Sequence, residues 1–352
     1  MKSCGVSGDS LQKRSPGETP VLELRALRAV FKPPDNYMSK LKIIFLGTPD
    51  IACGFLSAIA DSGHEIAGVI SQPDRPVGRG LKLCCAPVNA LAQELCFKTY
   101  KPATRAELHA VISELKPDLA VVVAYGRLIP RETLPLARLG FLNVHFSLLP
   151  AYRGAAPVQW ALINGEKTTG VTLFWLDSGM DTGPVFLRRE EPVLPSDDAA
   201  SLFSRLSASG RGLLEEGLKM IAAGEILRES QTGPASAAPK LTPGLAVLDF
   251  SLPAASLLGK VRGLACGPKA RFILEQPDRK TAVQVLSASV PEGPGKEGKP
   301  GAVLSVEPGG GFIVKCGDGA LLIETVKPEG KKEMAGSDFL NGLRLRPGDM
   351  LR

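Results

Sequence analysis

Two side chains that could stabilise and transfer charge lie two residues apart in the segment NVHFSLLPAYRG, which spans residues 143–154. If the segment begins as a strand, Asn143 and His145 leave the same face, because side chains alternate across a strand. The later loop LDSGMDTGP adds the carboxylates Asp177 and Asp181. Asp181 could pair with the imidazole, hold its tautomer and favour its protonated form.

This set of groups is typical of acyl transfer directly between two bound substrates. No nucleophilic Ser or Cys accompanies it, and Ser147 lacks the GxSxG elbow that activates a serine. Asn143 would donate a hydrogen bond to a developing oxyanion, His145 would stabilise the same charge or pass protons, and Asp181 would orient the imidazole. The spacing leaves another interpretation open, since a lone strand histidine is more often a packed residue and DTG alone is a turn.

Length and composition limit the class of protein. The 352 residues exceed what one core usually holds, so two domains are expected. The longest apolar run, LAVVVAYG, is far shorter than the about 20 residues of a membrane helix, so no membrane contact is expected. The seven cysteines form no CxxC pair and no ligand cluster, which predicts neither a metal nor disulfides. The net charge of +6 is compatible with an RNA partner without requiring one.

Strands and helices that alternate from Leu41 onward are expected to position Asn143, His145 and Asp181. Near-continuous Val, Ile and Leu strands separated by helices predict a doubly wound, Rossmann-like α/β domain with a mostly parallel sheet. In such sheets the reactive groups follow the carboxyl ends of strands. Predicted strands are 41–46, 65–71, VVVAYG, FLNVH, GVTLFWL and VFLRRE, and predicted helices are about 51–62, 87–96, 105–115, 156–163 and 198–223.

Composition shifts predict the domain organisation. Residues 1–37 lack apolar periodicity and are predicted to be a disordered extension, ahead of a catalytic domain over 38–228. Residues 229–244 are rich in Pro, Gly, Ser and Ala, which predicts a linker. A helix near 254–264 and short strands punctuated by Gly and Pro predict a smaller, OB-like β-barrel over 245–352.

The quoted segments resemble those of the folate-dependent formyltransferases. NVHFSLLP is similar to the signature in which Asn, His and a later Asp form the site, and GVTLFWLDSGMDTGP resembles the loop that supplies this Asp at position 181. SQPDRPVGRGLKL at 71–83 and the C-terminal segment GDGALLIETVKPEGKKEMAG resemble the methionyl-tRNA formyltransferase family, over about Lys40 to Arg352. The 71–83 loop also distinguishes that family from the glycinamide ribonucleotide enzymes, which lack it.

The resemblance implies transfer of the formyl group of 10-formyltetrahydrofolate to the α-amine of methionyl initiator tRNA. It further implies a monomer in the bacterial cytoplasm, with an organelle matrix as the alternative location. Two rival functions stay open. One is another formyltransferase or hydrolase of the superfamily, acting on an amino sugar or on formylfolate. The other is an RNA-binding protein that has kept the fold and lost catalysis.

The resemblance also implies where the formyl donor binds. The expected contacts are the loop after the catalytic strand and the backbone that lines the pterin pocket. These cofactor-binding residues are Ser147, Leu148, Leu149, Pro150, Tyr125 and Gly126.

Two basic regions are candidates for tRNA binding. In the 71–83 loop, Arg79 matches the Arg with which the family senses the first base pair of initiator tRNA. Arg75 and Lys82 lie in the same loop, where GRG could equally be a phosphate-binding nest or part of a solvated surface. Lys331 and Lys332 could contact the tRNA backbone, and a solvated turn is the alternative there.

Two positions depart from the family pattern. Phe146 stands where relatives carry Gly or Pro, and its side chain is predicted to point away from the catalytic face. Cys266, Gly267 and Pro268 replace a Trp-containing stretch similar to NPWPGA. The local inter-domain or tRNA surface is therefore expected to differ from that of relatives.

Overall fold

A computed structural model describes most of the chain from Lys40 onward. The prediction of disorder for residues 1–37 falls outside the described part, as does Arg79. The described residues are 40–77, 82–276, 279–292, 297–307 and 309–351.

Strands and helices alternate among the described residues between Lys42 and Ala238, as the hydrophobic pattern predicts. The strands are β1 Lys42–Gly47, β2 Glu65–Ile70, β3 Arg75–Val77, β4 Lys82–Cys84, β5 Thr99–Tyr100, β6 Leu119–Val123, β7 Phe141–His145, β8 Arg153–Gly154, β9 Thr168–Trp175, β10 Val185–Pro192 and β11 Ala237–Ala238. The α-helices are α1 Cys53–Asp61, α2 Pro87–Glu94, α3 Arg105–Leu115, α4 Pro157–Ile163 and α5 Ala199–Ala222. Short 3-10 turns cover Asp50–Ala52 and Arg131–Leu136.

Within the described residues, seven of these strands form the central sheet. Its order is β10-β9-β7-β6-β1-β2-β5, with parallel pairing from β7 to β5 and antiparallel pairing at β9 and β10. The inner strand β6, LAVVV, is buried on both faces, which explains its continuous apolar run. Apolar clusters under α1 and α5 on one face and under α3 on the other complete the layers. The predicted mostly parallel α/β fold is confirmed.

The C-terminal part is a half-barrel of antiparallel strands closed by helices. Its elements are α6 Ala254–Gly263, β12 Arg271–Gln276, β13 Arg279–Ser289, β14 Val303–Val306, β15 Phe312–Lys315, β16 Ala320–Pro328, β17 Met334–Ala335 and α7 Gly336–Leu343, preceded by a 3-10 turn at Pro243–Ala246. The strands pair in the order β12-β13-β16-β15-β14, and β17 pairs with β16. The rings of Phe250, Phe272, Phe312 and Phe339 pack in its core.

Helices α4 and α6 join the two parts by direct packing. A Cβ on Gly259 would lie 2.7 Å from the Ile163 carbonyl oxygen, so glycine permits this close approach. Arg262 at the end of α6 donates to the carbonyl oxygens of Leu194, at 2.6 Å, and Asp197. The departure at Cys266 follows α6 directly and leaves an exposed thiol there.

The predicted 71–83 loop is partly a hairpin. Strands β3 and β4 pair antiparallel, from Arg75 with Cys84 to Val77 with Lys82. Asp74 at the start of the hairpin accepts a 2.8 Å ion-pair contact from Lys101, which lies after β5. This pairing was not predicted, because each strand has only three residues and the segment is rich in proline and polar residues.

Among the residues that the structure describes, no helix combines the length and apolar character needed to cross a membrane.

Candidate active site

The segment that carries Asn143 and His145 lies at the carboxyl end of β7. Both side chains leave one face of the sheet, as their two-residue spacing predicts. Phe146 leaves the opposite face, where its ring packs edge-on against Phe55 of α1 and Phe203 of α5. The prediction that Phe146 points away from the polar face is therefore confirmed.

The imidazole of His145 is buried and held at one nitrogen. Nε2 lies 2.9 Å from the backbone carbonyl oxygen of Tyr152. Because a carbonyl oxygen can only accept, Nε2 carries the hydrogen and donates it. In the neutral ring Nδ1 is then unprotonated, and it faces Oδ2 of Asp181 at 3.8 Å. Nδ1 is the nitrogen that can take up a proton, and Asp181 is placed to stabilise the imidazolium that would form.

The charge state of His145 differs from the sequence-based expectation. Burial lowers the pKa of His145 from its ordinary value, and the opposing effects of the Asp181 charge and of the hydrogen bond to Tyr152 are smaller. The expectation that Asp181 favours the protonated form is right for the effect of the Asp181 charge, which raises the pKa. It left out burial, which lowers the pKa by more. His145 has an exposed fraction of only 7%, so removing water from the ring outweighs the nearby carboxylate.

The two carboxylates of the 176–184 loop have different tasks. Asp177 folds the loop, since its Oδ1 accepts from the Gly179 amide at 2.9 Å and from the Thr182 hydroxyl at 2.7 Å. Asp181 has a left-handed backbone with φ 55°, and its Oδ2 accepts from the amide of Gly154 at 2.7 Å. Only Asp181 of these two faces the imidazole.

The amide of Asn143 is available for a ligand. Its side chain is half-buried and forms no hydrogen bond to another described residue. Asn143 pairs through its backbone with Val122 of β6 and Phe174 of β9, so two neighbouring strands fix its position. A fixed amide without an internal partner can donate to an oxygen that gains negative charge.

The loop after His145 is held by its own hydrogen bonds. The Ser147 hydroxyl donates to the Ala151 carbonyl at 2.6 Å, which occupies it as a donor. Thr172 of β9 accepts from the Leu149 amide at 3.2 Å and donates to the Ser147 carbonyl at 2.6 Å. Leu149 and Pro150 are buried and Leu148 is half-buried. The predicted donor loop is thus a rigid, mostly apolar edge beside the imidazole.

Tyr125 and Gly126 lie past the end of β6, next to β7. The Tyr125 carbonyl accepts from Gln72 Nε2 at 2.7 Å and from the Thr48 hydroxyl at 3.0 Å, which ties together the ends of three parallel strands. Gly126 has φ 78°, a left-handed conformation that favours glycine, and a Cβ there would lie 2.5 Å from Gln72 Nε2. The Tyr125 hydroxyl is buried without a hydrogen-bond partner among the described residues, and burial raises its pKa.

A cavity of about 320 Å³ borders Tyr125 at the start of α3. Its walls combine aliphatic and cationic side chains, contributed by Ala103, Thr104, Arg105, Leu108, Tyr125, Arg127 and Leu128. A second cavity, of about 380 Å³, lies on the C-terminal sheet and is lined by Arg271, Ala282, Gln284, Lys327, Pro328, Glu329 and Gly330. Asn143, His145 and Asp181 border neither cavity, so cavity size does not identify the candidate site.

The described tRNA-binding candidates Arg75, Lys331 and Lys332 form no hydrogen bond or ion pair with Asn143, His145 or Asp181. Arg75 is exposed on β3 and donates to Gln72 Oε1. Lys82 lies on β4, and its side chain is outside the described set, as is all of Arg79. Lys331 and Lys332 are exposed in the turn after β16. Their roles stay predictions.

Sequence reasoning missed the groups that hold the site together. The carbonyl of Tyr152, the amide of Gly154 and the side chain of Gln231 all contact His145 or the Asp181 segment. Two of the three act through the backbone, which no residue type reveals. A single Gln in a segment rich in Pro, Gly and Ser gives no signal either. No group of three His, Cys, Asp or Glu side chains in the described ranges is arranged to hold a metal ion.

Comparison with known proteins identifies the family. Residues 41–217 match the formyl transferase family and residues 240–344 match the formyl transferase C-terminal domain. The chain is 38% identical over 333 residues to the methionyl-tRNA formyltransferase of Elusimicrobium minutum (strain Pei191), which covers 88% of this chain and 99% of the relative. The chain belongs to the methionyl-tRNA formyltransferase family. The relative of that name from Geobacter sulfurreducens is 40% identical over 317 residues, 89% of this formyltransferase and 98% of the relative.

A solved structure shares the fold of this formyltransferase. HypX from Aquifex aeolicus, a six-site variant, superposes with a TM-score of 0.60 at 19% identity over 88% of the chain. The chain spans about half the length of that protein, 49%. At this identity the likeness concerns the fold alone.

The balance between burial and charge at His145 predicts a titration below the ordinary histidine range. Because burial disfavours the imidazolium, the ring stays neutral as the pH falls through 6.5 and gains its proton only at lower pH. Nitrogen-15 NMR of labelled imidazole would measure this, with His145→Gln identifying the signal. At pH 7.5 the spectrum should show Nε2 protonated and Nδ1 unprotonated. A midpoint at or above 6.5 would mean that Asp181 outweighs burial.

Proposed function

We propose that this chain transfers the formyl group of 10-formyltetrahydrofolate to the α-amine of methionyl initiator tRNA. The observation that carries the proposal is the convergence of a free amide, a buried imidazole and a carboxylate at the end of β7. The Ser147 hydroxyl beside them is bonded to a backbone carbonyl, which favours direct transfer over a covalent acyl-enzyme. Relatives that match 88% and 89% of the chain are methionyl-tRNA formyltransferases.

The residues near β6 fit a folate as formyl donor. A pterin ring offers several hydrogen-bonding edges, and the buried Tyr125 hydroxyl is a polar atom without a partner among the described residues. The neighbouring cavity offers Leu108 and Leu128 for an aromatic ring and Arg105 and Arg127 for carboxylates. Ser147, Leu148, Leu149 and Pro150 would form the edge of the site next to the transferred group. When bound, 10-formyltetrahydrofolate supplies the one-carbon unit as an N10-formyl group.

Asn143 would stabilise negative charge during transfer. The α-amine of methionyl-tRNA has a reference pKa of about 8, lowered further by the ester, so a large share is unprotonated at neutral pH. The reaction therefore depends on position and on stabilising the formyl oxygen more than on a strong base. The free amide of Asn143, fixed between β6 and β9, would donate to that oxygen as charge develops on it.

His145 would take the proton that the amine loses. Its Nε2 is already engaged with Tyr152, so the proton goes to Nδ1, which faces Asp181. The lowered pKa of His145 keeps this nitrogen unprotonated and ready at pH 7. Asp181 would then stabilise the imidazolium until the proton is passed to the departing folate nitrogen or to solvent.

The decisive test compares two tRNAs that carry the same amino acid. The enzyme should formylate methionyl initiator tRNA from 10-formyltetrahydrofolate and leave elongator methionyl-tRNA nearly unmodified. Amino-sugar nucleotides and water serve as competing acceptors in parallel reactions. Transfer to an amino sugar, or release of formate without tRNA, would replace the proposal by one of its rivals. The monomeric state and the bacterial cytoplasm belong to the same proposal.

Arg79 is predicted to discriminate between initiator and elongator methionyl-tRNA. Arg79→Ala should reduce the initiator-to-elongator ratio of kcat/KM by about 10-fold or more, the loss of one charge-assisted contact of about 1.4 kcal/mol. By contrast, Lys331→Ala and Lys332→Ala should weaken the binding of both tRNAs equally and reduce the salt dependence of that binding.

Arg188→Ala is the matched control for Arg79. Arg188 is exposed on β10, at the opposite edge of the sheet from β2 and the hairpin. Its removal should leave the ratio unchanged. An equal loss on both tRNAs in Arg79→Ala would make Arg79 a general phosphate contact.

A further inference from the structure

The segment predicted as a linker lies against both catalytic loops. We name residues 229–239 the strap. At its start, Glu229 pairs with Val185 through backbone hydrogen bonds of 2.7 and 2.9 Å. Toward its end, β11 (Ala237–Ala238) pairs in parallel with β8 (Arg153–Gly154). The strap thus bridges the segment after His145 and the segment after Asp181 before the chain reaches the C-terminal half-barrel.

Gln231 makes the central side-chain contacts of the strap. Its Nε2 donates to the carbonyl oxygens of Asp181 and Gly183, both at 2.8 Å. Its Oε1 accepts from Arg153 Nη2 at 2.7 Å and from Arg153 Nε at 3.2 Å. The Gln231 side chain therefore links the backbone of Asp181 to Arg153. The next residue, Gly154, donates its backbone amide to the Asp181 carboxylate.

Asp181 needs such support because its backbone is strained. A φ of 55° places a non-glycine residue in the left-handed region, which is disfavoured unless neighbouring contacts hold it. The two hydrogen bonds from Gln231 fall on the carbonyls of Asp181 itself and of the residue two positions later. A glutamate of the same shape could not donate them, and a methionine of similar length could make none of the four.

The strap also supports the partner of His145. The Ser236 hydroxyl accepts from the Tyr152 amide at 2.9 Å, and the Arg153 amide donates to the Ser236 carbonyl at 2.9 Å. Tyr152 is a second left-handed residue, with φ 59°, and its carbonyl holds Nε2 of His145. The strap therefore contacts the backbone on both sides of the imidazole–carboxylate pair.

We propose that Gln231 is a positioning residue for formyl transfer: it sets the distance between Asp181 and His145 by fixing the backbone of the 181–183 segment against Arg153. This proposal rests on the proposed function and names a residue that acts through Asp181 without touching either substrate. Gln231 would then connect the segment between the two domains to the loop that carries Asp181.

The test replaces Gln231 with Met, which keeps length and neutrality and removes all four hydrogen bonds. A displacement of about 1 Å at a catalytic group can cost up to about 100-fold, so kcat should fall about 10- to 100-fold. KM for folate and for tRNA should stay within about twofold, since Gln231 contacts neither. The NMR midpoint of His145 should move further down, because the Asp181 charge raises the pKa of His145 and would now lie farther away.

Ser230→Ala is the matched control within the strap. Ser230 is exposed and its hydroxyl has no hydrogen bond to another described residue, so kcat and the titration should match the wild type. Gln231→Glu should lose kcat as well, because it cannot donate to the two carbonyls. Wild-type kcat in Gln231→Met would overturn the proposal. The proposal would also be overturned if Gln231→Met lowered both kcat and the melting temperature but left the His145 midpoint unchanged. That result would indicate destabilisation alone.

The two proposals fail in different ways. If the wild-type chain does not formylate methionyl-tRNA, the proposed function fails, while the His145 midpoint still reports whether Gln231 sets the geometry. If the wild type is active and the variant equals it, only the role of Gln231 fails.

Discussion

Asp181→Asn should lower kcat for formyl transfer by about 10³-fold, within the range for loss of an acid–base partner and equal to about 4 kcal/mol. Asparagine keeps the shape of the side chain and an oxygen that can accept from Gly154, so the loop should keep its fold. What disappears is the negative charge 3.8 Å from Nδ1 of His145. In a site shielded from water that charge contributes more to stabilising an imidazolium than it would at the surface.

Single-turnover kinetics with saturating methionyl initiator tRNA would measure this effect on the transfer step. Asp177→Asn is the matched control in the same loop. Asp177 is exposed and, among the described residues, its side chain accepts from Gly179 and Thr182 alone, which asparagine can still do through its oxygen. Its kcat should remain close to the wild type. Near-normal turnover by Asp181→Asn, or an equal loss in both variants, would show that the carboxylate at 181 does not act on His145.

Asn143→Ala should lower kcat by about 10²- to 10³-fold, the usual effect of removing one oxyanion donor, or about 3 to 4 kcal/mol. The amide has no hydrogen bond to another described residue, so Asn143→Ala breaks none among them and would remove only the proposed bond to the formyl oxygen. Asn143→Asp should be slower still, because a carboxylate would repel the charge that develops on the formyl oxygen. Both variants should keep their affinity for methionyl-tRNA.

A folate-binding measurement by fluorescence separates this role from a structural one. Stabilisation confined to the transition state predicts a loss of kcat with KM for 10-formyltetrahydrofolate nearly unchanged. Asn341→Ala, which removes an exposed amide from α7, serves as the control for loss of an asparagine. A large rise in KM with normal kcat for Asn143→Ala would assign Asn143 to ground-state binding.

The sequence predicted those parts of the molecule that depend on local patterns. The continuous apolar run LAVVV predicted a buried strand and is one, and the helix at Arg105–Leu115 has the predicted bounds. The two-residue spacing of Asn143 and His145 set their common face, and the same alternation sent Phe146 into the opposite core. Each of these follows from the period of a strand or helix, which the order of residues contains directly.

The division of labour between Asp177 and Asp181 came from a different source. The loop offered both carboxylates, Asp181 was the suggested partner of His145, and the family resemblance also placed the functional Asp at 181 and not at 177. The structure supplies the reason, since Asp177 is occupied in folding the loop while Asp181 is turned toward His145 by its left-handed backbone.

Tertiary structure alone decided the charge state of His145 and the role of the strap. The pKa of the imidazole depends on how completely packing removes water from it, and no neighbour in the sequence reports that. The contact of Gln231 with Asp181 joins residues 50 positions apart, inside a segment whose composition is typical of a linker. Local composition describes what a segment does on its own. Desolvation and long-range hydrogen bonds exist only once distant segments have been brought together by folding.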